Sequence, residues 1–475
     1  MNQKLDIQEP LLKTIGKLAD QESLRAYIVG GYVRDLLLGK AVRDIDIVVI
    51  GNGVQFGRVV ERAFGKSNLV TYENFGTAML QLDDWKLEFV GSRKESYAKN
   101  SRKPLVQVGT LEDDLSRRDF TVNALAVSIN KAEWGNLVDP FGGLRDLERR
   151  LLRTPLDPKA TFDDDPLRIM RAFRFAAQLG FSVEPSILKA AEEMRHRLKI
   201  VSQERITDEF LKIMMSPKPS VGLKMMYDTG VMEIVFPEVA QLAGVDQRKD
   251  HHHKDVFLHT LMVVDNICEM TDDVWLRMAA LLHDIAKPRT KAFKEGIGWT
   301  FHGHEEIGAR MVQPIFRRMK LPMEHQPMVE KLVRLHLRPM ALVDEGVTDS
   351  AVRRLMFEAG EHLDDLMKLC RADITSKNLK LVEQVKRNYD NVVKKMEEVE
   401  ERDRIRNWQP PLRGDEIMSV CGIEPGPLVG KLKQAITDAI LDGKIPNEHD
   451  AALKYLMEIK DEILAVKESA RSDGE

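Results

Sequence analysis

Two aspartates separated by one residue, Asp44 and Asp46 in DIDIVV, are the sharpest chemical feature of the chain. Their run is β-branched, and on a strand alternate residues face the same way, so the two carboxylates stand side by side. Carboxylates that close repel each other, and a hard cation bound through oxygen, such as Mg²⁺, relieves the repulsion. Shortly upstream, IVGGYVRD sets Gly30 and Gly31 between a β-branched pair and a helix opening that carries Arg34. Glycines let backbone amides approach an anion, and amides at a helix start favour phosphate. Phosphate cradle and paired carboxylates together form the layout that phosphoryl or nucleotidyl transfer requires.

A second set lies in DDDPLRIMRAFRFA, which begins at Asp163. Pro166 suits a first helical position, Asp165 falls at or beside the cap, and Arg168, Arg171 and Arg174 recur every third residue along one side of the helix. The intervening Ile169, Met170, Phe173 and Phe175 are apolar, which leaves little room for a merely solvated basic stripe. A carboxylate at Asp165 can accept from the exocyclic amino group of cytosine or adenine, and a guanidinium at Arg168 can donate to the adjacent ring nitrogen. Guanine and uracil carry a carbonyl there and are repelled. Arg171 and Arg174 are then expected at phosphate or holding Asp165 in position.

The third set is rich in histidine: His259 in VFLHTLMVV, His283-Asp284 in LLHDIAKP, His304 in FHGHEEIGA, His336, and Asp373 in CRADITS. Neutral imidazoles with carboxylates suit a divalent transition metal or Mg²⁺, which would activate water against a phosphoester. His302 and the run His251, His252, His253 are weaker candidates, since histidine-rich loops are commonly polar surface.

These residues need elements to hold them. Residues 27–150 mix short β-rich runs (YIVGG, DIDIVVIG, GTAMLQL, KLEFVGS, TVNALAVSI) with turn signals and read as an α/β segment. After TPLDPKATFDDDP the apolar spacing turns helical, and from there almost only helix is expected, including a long charged helix over LKLVEQVKRNYDNVVKKMEEVEERDRIRNW and a hinge at PPLRG. A length of 475 residues fits three or four domains. The expected division is a head at 1–155, a helical neck at 156–245, a helical metal-binding body at 246–376 and a helical tail at 377–475.

Charge excludes little: 71 Lys and Arg against 75 Asp and Glu leave a formal net charge of −4, compatible with a local basic face but no global one. Three scattered cysteines, Cys268, Cys370 and Cys421, fit neither a disulfide framework nor a cysteine zinc site and point to a reducing compartment. The charged start MNQKLDIQEP is unlike a signal peptide, and no window approaches the ~18 apolar residues of a membrane span. A cytoplasmic protein without a membrane anchor is the expectation; oligomeric state is not legible.

The glycine turn followed by the Asp-x-Asp strand resembles the DNA polymerase β-type nucleotidyltransferase superfamily, with its mixed sheet. A third acid on a neighbouring strand is implied, and Glu88 in KLEFVGSR is the candidate. The ordered set IVGGYVRD, DIDIVV, RRDFTVNALA, DPFGGLRDL, DDDPLRIMRAFRFA and ERITDEFLKIM resembles class II CCA-adding enzymes of the tRNA nucleotidyltransferase and poly(A) polymerase family over roughly the first 215 residues. That resemblance implies triphosphate contacts at Gly31, Arg34 and Arg118, metal ligands at Asp44 and Asp46 for Mg²⁺, and nucleotide selection by Asp165, Arg168, Arg171 and Arg174. One departure is Asp164-Asp165 where Glu-Asp is usual. DPFGGLRDL would belong to a flexible region that helps switch specificity from C to A.

The histidine set resembles HD-superfamily metal phosphohydrolases, which implies a second divalent metal held by His259, His283, Asp284, His304, His336 and Asp373. GIEPGPLVGKLKQAI, with Lys431 and Lys433 near the start of a helix expected from about Val429, resembles the part of tRNA nucleotidyltransferases that holds the tRNA elbow. The implied activity is templateless addition of CCA to tRNA from CTP and ATP. CC-adding, A-adding and poly(A)-polymerase activities share the head motifs and stay open, as does a phosphohydrolase working through the histidine set.

Overall fold

The β-branched runs of the N-terminal region pair into one mixed sheet. Its strands are β1 (Ala26–Val29), β2 (Asp44–Val49), β3 (Val70–Tyr72), β4 (Thr77–Leu82), β5 (Trp85–Gly91), β6 (Ala126–Ser128) and β7 (Leu137–Val138), in the order β3-β4-β5-β2-β1-β6-β7. The computed structural model describes residues 4–65, 68–73, 76–96, 105–245, 255–296, 298–344, 348–376, 378–403, 408 and 410–472. The chain divides into two compact units, Met1–Pro237 and Glu238–Glu475. The run His251–His253 lies outside the described residues.

In the first unit, strand alternation sorts β2 onto two faces. Ile45, Ile47 and Val49 enter a large core with Leu12 and Ile15 of helix α1 (Pro10–Gln21) and Phe56 and Val60 of a later helix, Gly53–Ala63. Val48 joins a smaller cluster with Tyr27, Val29, Leu115 and Ala126 on the opposite face. Asp44 and Asp46 share the parity of Val48 and so ride that second face. β2 and β5 run parallel with Asp46 beside Glu88, while β1 pairs antiparallel to both β2 and β6. Helix α2 (Gly31–Leu37) leaves the sheet from β1 through the Gly-Gly turn.

Helices follow as expected. α3 (Leu167–Leu179) packs on α4 (Gln203–Met214) around buried Phe173, Phe210 and Met214. Burying a side chain of that size is worth roughly 1.5–3 kcal/mol, so the stripe holds the charged residues of α3 in place.

The second unit is built from α5 (Val256–Cys268), α6 (Val274–Leu282), α7 (His304–Met319), α8 (Gln326–Leu335) and α9 (Leu363–Ala372), with the long charged helix at Leu379–Asp403. The last three helices, Gly414–Cys421, Pro427–Leu441 and His449–Ser472, close their own small core around Leu432, Ile436 and Leu456. Arg354 ties them to the preceding helices through Asp438 and Asp442, both within 2.8 Å.

The expected fold class, an α/β head with a mixed sheet followed by helices, is the one observed. The helical part is not wholly helical: Ala292–Lys294 and Gly298–Thr300 form an antiparallel hairpin, and Leu151–Leu152 pairs parallel with Ser182–Val183. No helix among the described residues is long and apolar enough to cross a membrane.

Candidate active sites

The head site grows from the turn after β1. Gly30 has φ 73°, a region open to glycine, and a side chain there would sit 2.5 Å from an Arg118 guanidinium nitrogen and 3.4 Å from Asp46 Oδ2. The missing side chain therefore leaves a cation and a carboxylate bordering one space. Gly31, the residue expected to touch triphosphate, has only Arg34 near its would-be Cβ, at 3.7 Å. Burial raises the Asp46 carboxyl above its usual value; Arg118 opposes that shift and the Asp44 carboxylate adds to it. Arg118 pairs with buried Asp114 at 3.5 Å, and its Nε is buried with no hydrogen-bond partner among the described residues. A half-buried carboxylate with a raised pKa, beside the carboxylates of Asp44 and Glu88, is a donor set that an oxygen-seeking cation satisfies.

Arg34, expected at the triphosphate, lies on α2 just after the Gly-Gly turn. It is buried, donates from Nη1 to Asn123 Oδ1 at 2.7 Å, forks onto Asp35, and lies 5.1 Å from the centre of the Phe175 ring.

Asp165 occupies the junction between helix Pro158–Asp164 and α3. Its Oδ1 accepts from the Leu167 amide at 3.1 Å, and its Oδ2 accepts from Arg205 at 2.8 Å. Arg205, not Arg171 or Arg174, thus holds it. Arg168 donates to the carbonyls of Thr161 and Arg117 and pairs with Asp164 at 2.8 Å. Arg171 meets Asp119 at 2.6 Å and Glu209 at 3.8 Å, and Arg174 meets Glu209 at 3.2 Å. Both arginines are thus engaged in ion pairs between α3 and its neighbours, with Arg174 buried and Arg171 partly exposed. Asp119, Asn123, Arg205 and Glu209 were not singled out from the sequence, although RRDFTVNALA and ERITDEFLKIM contain them; for Arg205 and Glu209 the available signal was a charged residue inside an apolar helical run.

DPFGGLRDL forms a turn held by contacts of its own two aspartates. Asp139 accepts from the amides of Gly143 and Leu144, a side chain at Gly143 would run into the Thr121 carbonyl at 2.1 Å, and Asp146 is held by Thr121 and Arg153.

In the second unit the histidine set converges. His259 projects from α5, while His283, His336 and Asp373 cap the C-termini of α6, α8 and α9; Asp284 follows His283, and His304 opens α7. A histidine at such an end can return Nδ1–H to the carbonyl three residues back. His283, His304 and His336 do so to Ala280, Phe301 and Val333 at 2.7, 2.7 and 2.6 Å. That aims Nε2 inward, and all three Nε2 atoms are buried and face the Asp284 carboxylate.

The ligating atoms fall into two groups, His259, His283 and Asp373, and Asp284, His304 and His336, each within 4.8 Å. Asp284 bridges them, at 3.1 Å from His283 Nε2 and 3.3 Å from His304 Nε2, and takes Lys287 Nζ at 2.6 Å. Burial opposes charge on His283, yet Asp284 and Asp373 outweigh it and push the imidazole up to about 9. Burial holds His336 down at about 4. Inward imidazole nitrogens converging on two carboxylates fit a divalent metal. His302 is exposed, outside the cluster.

Comparison with known proteins decides the family. The Poly A polymerase head domain matches residues 26–153, "Probable RNA and SrmB- binding site of polymerase A" matches 180–242, and the HD domain matches 256–378. A multifunctional CCA protein of Methylococcus capsulatus is 35% identical over 376 residues, 74% of this chain and 81% of its own length. The chain belongs to the tRNA nucleotidyltransferase and poly(A) polymerase family, with an HD domain. It is also similar to an A-adding tRNA nucleotidyltransferase of Deinococcus radiodurans, 33% identical over 72% of this chain and 78% of that one.

Among solved structures, a Bacillus stearothermophilus CCA-adding enzyme in complex with CTP aligns with TM-score 0.65 and 25% identity over 95% of this chain and 98% of its own. A tRNA nucleotidyltransferase complexed with a primer tRNA and an incoming ATP analogue aligns with TM-score 0.58 and 26% identity, over 80% and 98%. The chain is accordingly a nucleotidyltransferase of this family. The RNA-binding family match falls on 180–242, a stretch the sequence reading had treated only as neck.

Proposed function

We propose that this enzyme adds the 3′-terminal CCA to tRNA, taking CTP and ATP in turn, with the tRNA 3′-hydroxyl attacking the α-phosphate and pyrophosphate leaving. The observation that carries the reading is the Gly30 cradle, where Arg118 and Asp46 border the same space. Asp44 and Asp46, with Glu88 beside them, would hold Mg²⁺, which when bound draws charge from the triphosphate. Arg118 binds the triphosphate through its unspent Nε–H, and Arg34 adds fixed positive charge from its seat on Asn123.

Asp165 accepts from the amino group of C or A while Arg205 and the Leu167 amide keep its carboxylate oriented. Arg168 supplies the complementary donor after exchanging one of its internal carbonyl partners. Arg171 and Arg174 are positioning residues that fix α3 through Asp119 and Glu209. RNA is held by the 180–242 region and by the tail, where Lys431 and Lys433 lie on the Pro427–Leu441 helix. The four-part division at 155, 245 and 376 and a cytoplasmic location, in keeping with free Cys268, Cys370 and Cys421, belong to this reading.

Incubation with Mg²⁺, CTP, ATP and tRNA lacking its CCA end, followed by sequencing of 3′ ends, tests it. Addition of C, C and A followed by a stop is expected, and no extension overturns the reading. The Deinococcus relative favours a second reading, in which only A is added to tRNA already ending in CC.

To the histidine cluster we assign metal-dependent hydrolysis of a phosphoester, on the strength of the four histidines that converge with Asp284 and Asp373 into two adjoining groups of ligating atoms. Metal analysis and a phosphoester panel test it: His283→Ala should abolish hydrolysis. Loss of all activity in His283→Ala with none lost in Asp44→Ala would instead make this cluster the main active site.

A further inference from the structure

The hairpin that precedes His304 has no part in holding the metal cluster, yet it is unlike ordinary surface. Phe293 and Trp299 are cross-strand partners, pack edge to face at 5.2 Å, and remain 51% and 39% exposed. Lys291 lies 4.4 Å from the centre of the Trp299 ring. Between Lys287 and His304 stand Lys287, Arg289, Lys291 and Lys294 against a single acid, Glu295, in a chain whose net charge is −4. Both ends of the segment reach the cluster. Lys287 donates to Asp284 and lies 5.7 Å from the Phe301 ring centre, and Phe301 accepts from His304 Nδ1.

Resting on the phosphohydrolase reading of that cluster, we propose that the 292–300 hairpin is a base-stacking platform that seats the unpaired 3′ end of an RNA for the HD site. Exposed aromatic faces beside cations are the chemistry that grips single-stranded nucleic acid, since every base offers a π-face and every linkage a phosphate. With Lys287 engaged on Asp284, the three further cations Arg289, Lys291 and Lys294 still exceed what one phosphate needs, which favours an oligonucleotide end over a free nucleotide. The platform makes Trp299 a specificity-determining residue of the second site.

The test uses the full-length protein and a tetraribonucleotide ending in a 3′-phosphate. In EDTA, the oligonucleotide should quench a fluorescence component present in wild type and absent in Trp299→Phe, and Lys291→Ala should weaken the apparent Kd of that quench about fivefold. With metal restored, Trp299→Ala should raise KM for the oligonucleotide about tenfold with kcat within about twofold. Trp299→Phe should stay near wild type, and glycerol 2-phosphate, which has no base, should be hydrolysed equally by all variants. Absence of a Trp299-dependent quench overturns the proposal. Equal quench and equal KM effects with a mononucleotide overturn its assignment to an RNA end. A quench without hydrolysis of any phosphoester leaves the platform standing and overturns the phosphohydrolase reading instead.

Discussion

In the head, Asp44 is exposed and Asp46 half-buried on one face of a strand, while in the second unit Asp284 is 1% exposed among histidines that are all buried. The head offers carboxylate oxygens from neighbouring strands and a cradle made by a missing side chain, so on the proposed reading its site would be completed by a nucleotide whose phosphates supply further oxygens to a metal. The histidine cluster is closed beforehand, with three inward nitrogens aimed by a carbonyl behind them and that of His259 by the Thr375 hydroxyl. One site is organised around a substrate and the other around an ion. The cluster should therefore keep its metal through gel filtration while the head keeps none, which metal analysis of the eluted protein checks.

The largest effect expected is the separation of the two activities. Asp46→Asn should lower nucleotide addition about a thousandfold or more, the size of several kcal/mol of lost charge stabilisation, and leave phosphoester hydrolysis unchanged. His283→Ala should do the reverse. Loss of both activities in either variant would break the comparison.

The open site depends on a closed scaffold, and that is the next place to press. Glu209 and Arg174 are both buried; burial raises the acid and lowers the base, so desolvation outweighs their attraction. Such a pair adds little stability, yet removing one partner strands the other. Glu209→Ala should cost about 3–5 kcal/mol in urea unfolding, and the double change Arg174→Met with Glu209→Leu should restore most of it.

The paired aspartates, the glycine turn and the ligands of the histidine cluster were legible because each lies in a short motif whose chemistry is local. Arg205 and Glu209 were not, because their roles arise only when α4 packs on α3. The Asp119 carboxylate that faces Arg171 was likewise not legible, because the two meet across 52 residues of chain only once the fold brings them together. The 292–300 hairpin was absorbed into expected helix: its strands are three residues each, too short for alternation to register, and the cue was the pair Gly296 and Gly298, both with positive φ.

Gly30→Ala sharpens the contrast at a smaller scale. A left-handed φ costs a non-glycine residue roughly 1–2 kcal/mol, and the added Cβ would crowd Arg118. We expect KM for nucleotide to rise about tenfold, with the HD activity unaltered and the melting temperature of the protein lowered. An unchanged KM would mean that the triphosphate does not use this cradle.

The smallest effect separates two carboxylates that serve the same helix. Asp119 is buried, which alone would raise its pKa, but Arg171, Asn123 and the Phe120 amide overcome this and hold it below the ordinary value. Because the folded pKa lies below the unfolded one of about 3.9, its stabilising contribution is complete above that pH and is lost as pH falls through the folded value. Glu209, raised by burial, works in the opposite sense: it costs stability as pH rises from its unfolded pKa of about 4.3 through the raised folded one. Thermal melts in steps of pH should therefore show a shallower acid descent in Asp119→Asn than in wild type below about pH 4. Glu209→Gln should lose the decline that begins above that point. Identical acid limbs for Asp119→Asn and wild type would mean that the Arg171 pair orients α3 without stabilising the head, and would leave positioning as its whole contribution.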